Sequence, residues 1–241
     1  MTNEIEYPDK ITGNTLDAYL ERGWFRMGQS IFTTDFIFPD NDFYRVFWLR
    51  YRLENIFSRN KSQRLIRTNK KFTTVFKPFE LNQEMEDLYQ VYLQSLDFRP
   101  SRTLRDYLME HSNSPETTDN IYDSVLIEIR DQEKLIAIGI FDKGERSIAG
   151  IINFYDPRYK KYSLGKYLMV LKAQYALEKR MSFYYPGYIA ADYNKFDYKL
   201  FINPDSAEIY DPVDKKWLPY SPELIKNLKN NIPPPDYFLF I

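Results

Sequence analysis

Cysteine is absent from the 241-residue chain. Its absence excludes disulfides, iron–sulfur clusters, thiolate zinc sites and a cysteine nucleophile. Histidine occurs once, as His111, so a Ser-His-Asp triad would have to use it. Its setting, Glu110-His111-Ser112-Asn113-Ser114-Pro115, reads instead as an exposed helix exit, where a positive side chain is favoured. No apolar run approaches the roughly 20 residues needed to span a bilayer. The opening Met-Thr-Asn-Glu-Ile-Glu lacks a signal-peptide pattern. The expectation is a cytoplasmic monomer without a membrane partner, metal or other cofactor. Charge excess is also lacking. Lys and Arg number 33 against 34 Asp and Glu, a net charge of -1. No global field draws in nucleic acid, and any such attraction must be local.

Aromatic side chains are plentiful, at 17% with 21 Tyr and 18 Phe. Tyrosine suits half-buried surfaces and ligand clefts, because its ring is apolar and its tip polar. The 44% hydrophobic content is enough for one sizeable core or two modest ones. One region is strongly polarised. Residues 55–79 carry Arg59, Lys61, Arg64, Arg67, Lys70, Lys71 and Lys77, and no acid. Such a run is either a solvated helix face or a phosphate-binding surface. Leu65 and Ile66 within it must pack.

Asn14 is placed to start a short helix that Gly23 ends, and 24–38 reads as extended chain. Alternation at Phe43, Arg45, Phe47, Leu49, Tyr51 and Leu53 predicts a strand. Asn82 is placed to cap a helix over 82–98, and a shorter helix is expected over 102–110. The runs 124–129, 134–141 and 147–155, separated by short polar breaks, predict a meander of hairpins. A helix over 163–181 and a strand over 183–189 follow. Short strands or turns are expected at 200–202, 208–210 and 217–220. Pro233-Pro234-Pro235 then precedes an apolar end, 237–241, expected to dock on the body. The fold expected is α+β: a mixed, mainly antiparallel sheet flanked by helices, in the order of the acyl-CoA N-acyltransferase (GNAT) plan. The division expected is a small β-containing unit over 1–79 and a transferase domain over 80–241.

The run Asn153-Phe154-Tyr155-Asp156-Pro157, followed by Tyr162-Ser163-Leu164-Gly165-Lys166-Tyr167, resembles a signature of the arginyl-tRNA–protein transferases and the bacterial aspartate/glutamate leucyltransferases. Tyr184-Tyr185-Pro186-Gly187-Tyr188 and Lys195-Phe196-Asp197-Tyr198-Lys199 are similar to their next block. Weaker similarities lie at Gly23–Gly28, 57–64 and Leu88–Tyr92. The family's N-terminal cysteine cluster is missing here, and Tyr193 stands where the family has a cysteine.

The resemblance implies aminoacyl transfer from charged tRNA to the α-amine of proteins with acidic N-termini, in the N-degron pathway. Arginine is favoured over leucine from the family name. It implies catalytic roles for Tyr155, Asp156, Tyr188 and Tyr198, with Asp156 orienting or deprotonating the amine. Ser163, Leu164, Gly165 and Lys166 would bind the donor at a helix N-terminus. Lys195 and Lys199, sharing a face if helical, would meet the acceptor carboxylate. Arg59, Lys61, Arg64 and Arg67 would hold tRNA. Alternatives are a GNAT enzyme with an acyl-CoA donor, although a single glycine at that helix start argues against coenzyme A, and a non-catalytic N-degron-binding module.

Overall fold

The computed structural model describes residues 3–39, 42–58, 60–96, 103–110 and 120–231. Arg59, Arg102, His111 and the C-terminal 233–241 segment lie outside them. The elements run β1 (Asn3–Glu6), α1 (Asn14–Glu21), β2 (Phe25–Met27), β3 (Ser30–Thr34), β4 (Phe36–Ile37), β5 (Tyr44–Arg52), α2 (Asn60–Asn69), β6 (Thr73–Pro78), α3 (Gln83–Leu93) and α4 (Leu104–Met109). They continue with β7 (Ser124–Asp131), β8 (Lys134–Lys143), β9 (Ser147–Tyr155), α5 (Leu164–Glu178), β10 (Phe183–Ala190), β11 (Ala207–Asp211), β12 (Lys216–Pro219) and α6 (Pro222–Asn231). Two 3₁₀ segments matter below, Pro157–Tyr162 and Asn194–Leu200.

A nine-stranded sheet in the order β12-β11-β5-β10-β9-β8-β7-β6, with β4 on β5, forms the body. The meander β7-β8-β9 is antiparallel, as the polar breaks predicted. The right-handed logic of a strand–helix–strand crossover then brings β10 alongside β9 in parallel. This is the mixed sheet of the expected GNAT-like plan. A three-stranded sheet, β1-β3-β2, is separate in its strand pairing but packs on the large one, Phe25 stacking on Trp48 at 3.9 Å.

β5 lies between β10 and β11, and β6 forms the far edge of the same sheet. The boundary expected at residue 79 therefore falls inside one sheet. β5 is buried on both faces: Phe47, Leu49 and Tyr51 join the main core while Trp48 joins a second one around α1 and β2. Long-range pairing placed it inside the sheet, which alternation alone could not decide. On one face α5 and α2 cover the sheet, and Leu65 and Ile66 pack there as expected. On the other, α3 and α4 cover β8 and β9. Asn82 caps α3, its Oδ1 accepting from the Met85 N–H at 3.0 Å. Residues 200–202, expected as a short strand or turn, lie at the end of the Asn194–Leu200 3₁₀ segment. No described helix is long and apolar enough to cross a membrane.

Candidate active site

Strands β9 and β10 pair over only three positions, Phe183 with Ser147, Tyr184 with Ile148 and Tyr185 with Ala149. Beyond Tyr185 they part. The cause is local to β10. Its register against β5 slips between Tyr184 and Gly187, a bulge that bends the strand. Pro186, which has no N–H to give the ladder, sits at that slip. Gly187 adopts φ +104, a backbone that L side chains rarely take. The result is a gap between the C-terminal halves of β9 and β10, facing the start of α5.

Tyrosines and one lysine line this gap. Tyr188 packs edge-on against Trp48 and Phe196 at 5.2 and 5.1 Å. Burial pushes its hydroxyl up to about 12. Tyr198 is 47% exposed, while its hydroxyl end is pushed to about 12 by desolvation beside Tyr92, Tyr107 and Tyr188. The Tyr155 ring stands 5.8 Å from that of Tyr92, whose hydroxyl is also raised by burial. At neutral pH the raised hydroxyls are neutral donors, the form needed to stabilise a developing oxyanion. Lys199 reaches in behind them. Its Nζ donates to the Tyr188 carbonyl at 2.8 Å and lies over the Tyr188 and Phe196 rings at 4.6 and 4.7 Å. Burial lowers its pKa to about 7.

Lys195 does not join Lys199. The segment is a 3₁₀ helix, whose three-residue turn puts positions four apart on different faces. Lys195 is exposed while Lys199 turns inward, so the shared face expected of an α-helix does not form. A cleft of about 360 Å³, lined by Ala190, Asp192, Tyr193, Asn194 and Asp197, lies at the end of β10.

The start of α5 borders the gap. Ser163 takes a left-handed conformation, φ 52, between the Pro157–Tyr162 segment and α5, and gives no side-chain cap. The first-turn N–H groups, which no helical carbonyl can reach, are left open to a ligand. Leu164 is fully buried, so only its backbone can serve a donor. Gly165 is open, and an added Cβ would meet the Tyr155 ring at 3.6 Å. Its carbonyl accepts from Asn153 Nδ2 at 3.4 Å. Lys166 lies over the Phe201 ring at 4.9 Å.

Asp156 has a different character from the proton acceptor expected. It is 1% exposed and caps the Pro157–Tyr162 segment by accepting from the Arg158 N–H. Its oxygens also receive Lys134 Nζ at 2.6 Å and Arg158 Nη2 at 2.6 Å. The Arg158 hydrogen bond holds the carboxyl well below the usual range, with Lys134 adding to it. A carboxylate so satisfied is a poor base, and the geometry fits a cap that fixes the end of β9. Tyr155 is the neighbour it positions.

Lys61, Arg64 and Arg67 are exposed on α2, on the α5 face of the sheet. Their side chains make no ion pair with a described residue. Tyr92 and Tyr107, from α3 and α4, were not anticipated as site residues. The Leu88–Tyr92 similarity was the one signal for the first, and Tyr107 carried none, since only packing brings α4 to the gap. Among the described residues no group of three or more His, Cys, Asp or Glu could hold a metal ion.

A family model described as arginine-tRNA-protein transferase, C terminus, matches residues 84–208. This stretch contains the gap, the start of α5 and the lysine. An aspartate/glutamate leucyltransferase of Nitrosococcus oceani is 30% identical over 166 residues, covering 67% of this chain and 66% of that protein. Arginyl-tRNA–protein transferase 1 of Arabidopsis thaliana is 29% identical over 92 residues, covering 36% of this chain and 14% of that protein. Among solved structures, FemX aligns with a TM-score of 0.46 at 12% identity, covering 81% of this chain and 65% of that one.

Proposed function

The chain belongs to the arginine-tRNA-protein transferase family, and from that premise we propose that it transfers an aminoacyl group from charged tRNA to the α-amine of a protein or peptide. The observation that carries this reading is the tyrosine-lined gap between β9 and β10, set against the uncapped start of α5. The donor ester is already activated, so no protein nucleophile is needed. The acceptor nitrogen attacks the ester carbonyl, the bond to the ribose oxygen breaks and an amide forms. The proton lost by the amine is balanced by the one the ribose oxygen takes up. An α-amine has an ordinary pKa of about 8, so positioning and oxyanion stabilisation are the main tasks.

In this reading Tyr188 and Tyr198 donate to the oxyanion and Tyr155 lines the donor's path over Gly165. Asp156 holds Tyr155 in place. The acceptor begins with Asp or Glu, as the relatives' names suggest, and Lys199 is the cation for that carboxylate, with Lys195 at the rim. Arg64, Arg67 and Lys61 hold the tRNA backbone. The leucyltransferase match covers far more of this chain than the arginyltransferase match. That supports leucine as the transferred residue, against the arginine expected from the sequence. Such transfer would create an N-degron on a cytoplasmic protein.

The test is transfer of labelled Leu or Arg from charged tRNA to peptides beginning Asp, Glu, Lys or Ala. Leucylation of the Asp and Glu peptides is expected. Tight peptide binding without transfer would instead identify a non-catalytic degron reader, and acylation from an acyl-CoA would identify the other acyltransferase class.

A further inference from the structure

Two basic segments far apart in the sequence meet in the fold. Asn69, at the end of α2, donates from Nδ2 to the Tyr162 carbonyl at 3.1 Å, across 93 residues of chain. Lys71 Nζ donates to the Tyr162 hydroxyl at 2.7 Å. Phe72 packs edge-on against Tyr159 and Tyr162, at 5.9 and 5.0 Å. These contacts set exposed Lys70 and Lys71 beside exposed Lys160 and Lys161. A cleft of about 260 Å³ at this junction is lined by Lys134, Arg158, Tyr159, Lys161 and Tyr162.

The charges here are unequal in what they have left to give. Lys134 and Arg158 are committed to Asp156, and the Tyr159 hydroxyl donates to Asp131 at 2.9 Å. Lys71 and Lys161 have no carboxylate partner among the described residues. The potential they create is felt by Tyr162, whose hydroxyl is drawn below its ordinary value by the Lys71 hydrogen bond and by Lys161. Cations interleaved with tyrosine rings at a shallow, open cleft suit a single strand, because rings can stack on bases while lysines neutralise phosphates. Position favours the same choice. Tyr162 is followed directly by Ser163 and the start of α5, so a strand held here leads to the gap.

We infer that the Lys71–Lys161–Tyr162 junction is a second RNA contact, which holds phosphates of the single-stranded 3′ end of the tRNA as it enters the gap beside α5. This inference rests on the proposed tRNA-dependent transfer. Arg64 and Arg67 on α2 then hold the duplex stem, and the junction holds the tail.

The test uses the full chain and two 5′-fluorescent RNA minihelices, identical except that one carries a four-nucleotide single-stranded 3′ tail. Anisotropy is followed across a salt series. The wild type is expected to bind the tailed RNA more tightly and with the steeper salt slope. K71Q/K161Q should weaken the tailed RNA about tenfold at low salt and flatten its slope by about 1.4, two single-strand phosphate contacts. It should leave the blunt RNA unchanged, and K71R/K161R should restore both quantities. Equal binding of both RNAs by K71Q/K161Q and wild type overturns the inference, as does equal weakening of both. If R64E/R67E weakens RNA binding while K71Q/K161Q does not, the inference falls and the tRNA reading stands. If the wild type shows no salt-dependent RNA binding, both fall.

Discussion

Lys199 Nζ lies 2.8 Å from the carbonyl oxygen of Tyr188 and 4.6 Å from the centroid of the same residue's ring. One residue of β10 thus holds the amine twice, by its backbone and by its π face, at the point where the sheet opens. Its backbone is anchored as well, since the Tyr51 hydroxyl donates to the Lys199 carbonyl at 2.5 Å.

The burial that lowers Lys199 to about 7 has a sign that can be measured. Unfolded lysine titrates near ~10.4. Between these values the unfolded chain binds a proton that the folded chain gives up, so the Lys199 contribution to stability rises with pH through that window. Urea unfolding at pH 6.5 and pH 9 should show a larger gain for wild type than for K199M. In transfer assays, KM for Asp-initial peptides should rise above pH 7 as the ammonium loses its proton, with Tyr188, Tyr198, Tyr92 and Tyr107 still neutral. K199M should abolish that rise, and Ala-initial peptides should never show it.

Asp156 should matter more to stability than to chemistry. D156N keeps a cap acceptor but loses the charge that pairs with Lys134 and Arg158. The expected loss is about 1–3 kcal/mol in urea unfolding at pH 7. Because its folded pKa is depressed, the wild-type contribution is present above the ordinary aspartate value near ~3.9 and fades as pH falls below it. D156N should lack that acid-side loss. A fall in kcat of about 10²-fold or more, without loss of stability, would mark Asp156 as a base after all.

The two glycines of the site should separate fold from binding. G187A places a Cβ at φ +104 and 3.1 Å from Lys199 Nζ, so it should lower stability by about 1–3 kcal/mol. G165A has ordinary room against Tyr155 and sits in a helix, where Ala is the better former by about 1 kcal/mol. It should fold as well as wild type or better, yet raise KM for the charged tRNA because the donor loses close backbone approach.

Charge reversal on α2 tests the tRNA surface. R64E/R67E should weaken tRNA binding more at low salt than at high salt, and should flatten the salt slope by about 1–2. Thermal unfolding should be unchanged, since both side chains are exposed and unpaired among the described residues.

Much of the framework was legible because its determinants are local. The β7-β8-β9 meander follows from short polar breaks between β-rich runs. α3 starts where Asn82 can cap it, and α5 follows from its apolar content, being buried on most of its faces. β6 was not read as a strand because most of its side chains are exposed, which removes the alternation that marks one. The 194–200 segment was open between helix and coil, and its 3₁₀ turn reversed the expected pairing of Lys195 with Lys199. Asp156 was found as a motif residue, and its leading partner Arg158 is only two residues away, but Lys134 comes from a different strand and only the fold adds it.

The sequence by itself determined the order of most strands and helices, the single polarised basic stretch and the absence of thiol chemistry, since each depends on residue type and near-neighbour spacing. Tertiary structure alone decided that β5 lies inside the sheet, between β10 and β11, and that β9 and β10 part after three pairs. It alone brought Tyr92, Tyr107 and Tyr188 to Tyr198 and set the Lys199 amine over the Tyr188 ring. Those outcomes depend on register and packing between segments distant along the chain, where burial sets which hydroxyls stay neutral and how readily a lysine keeps its proton.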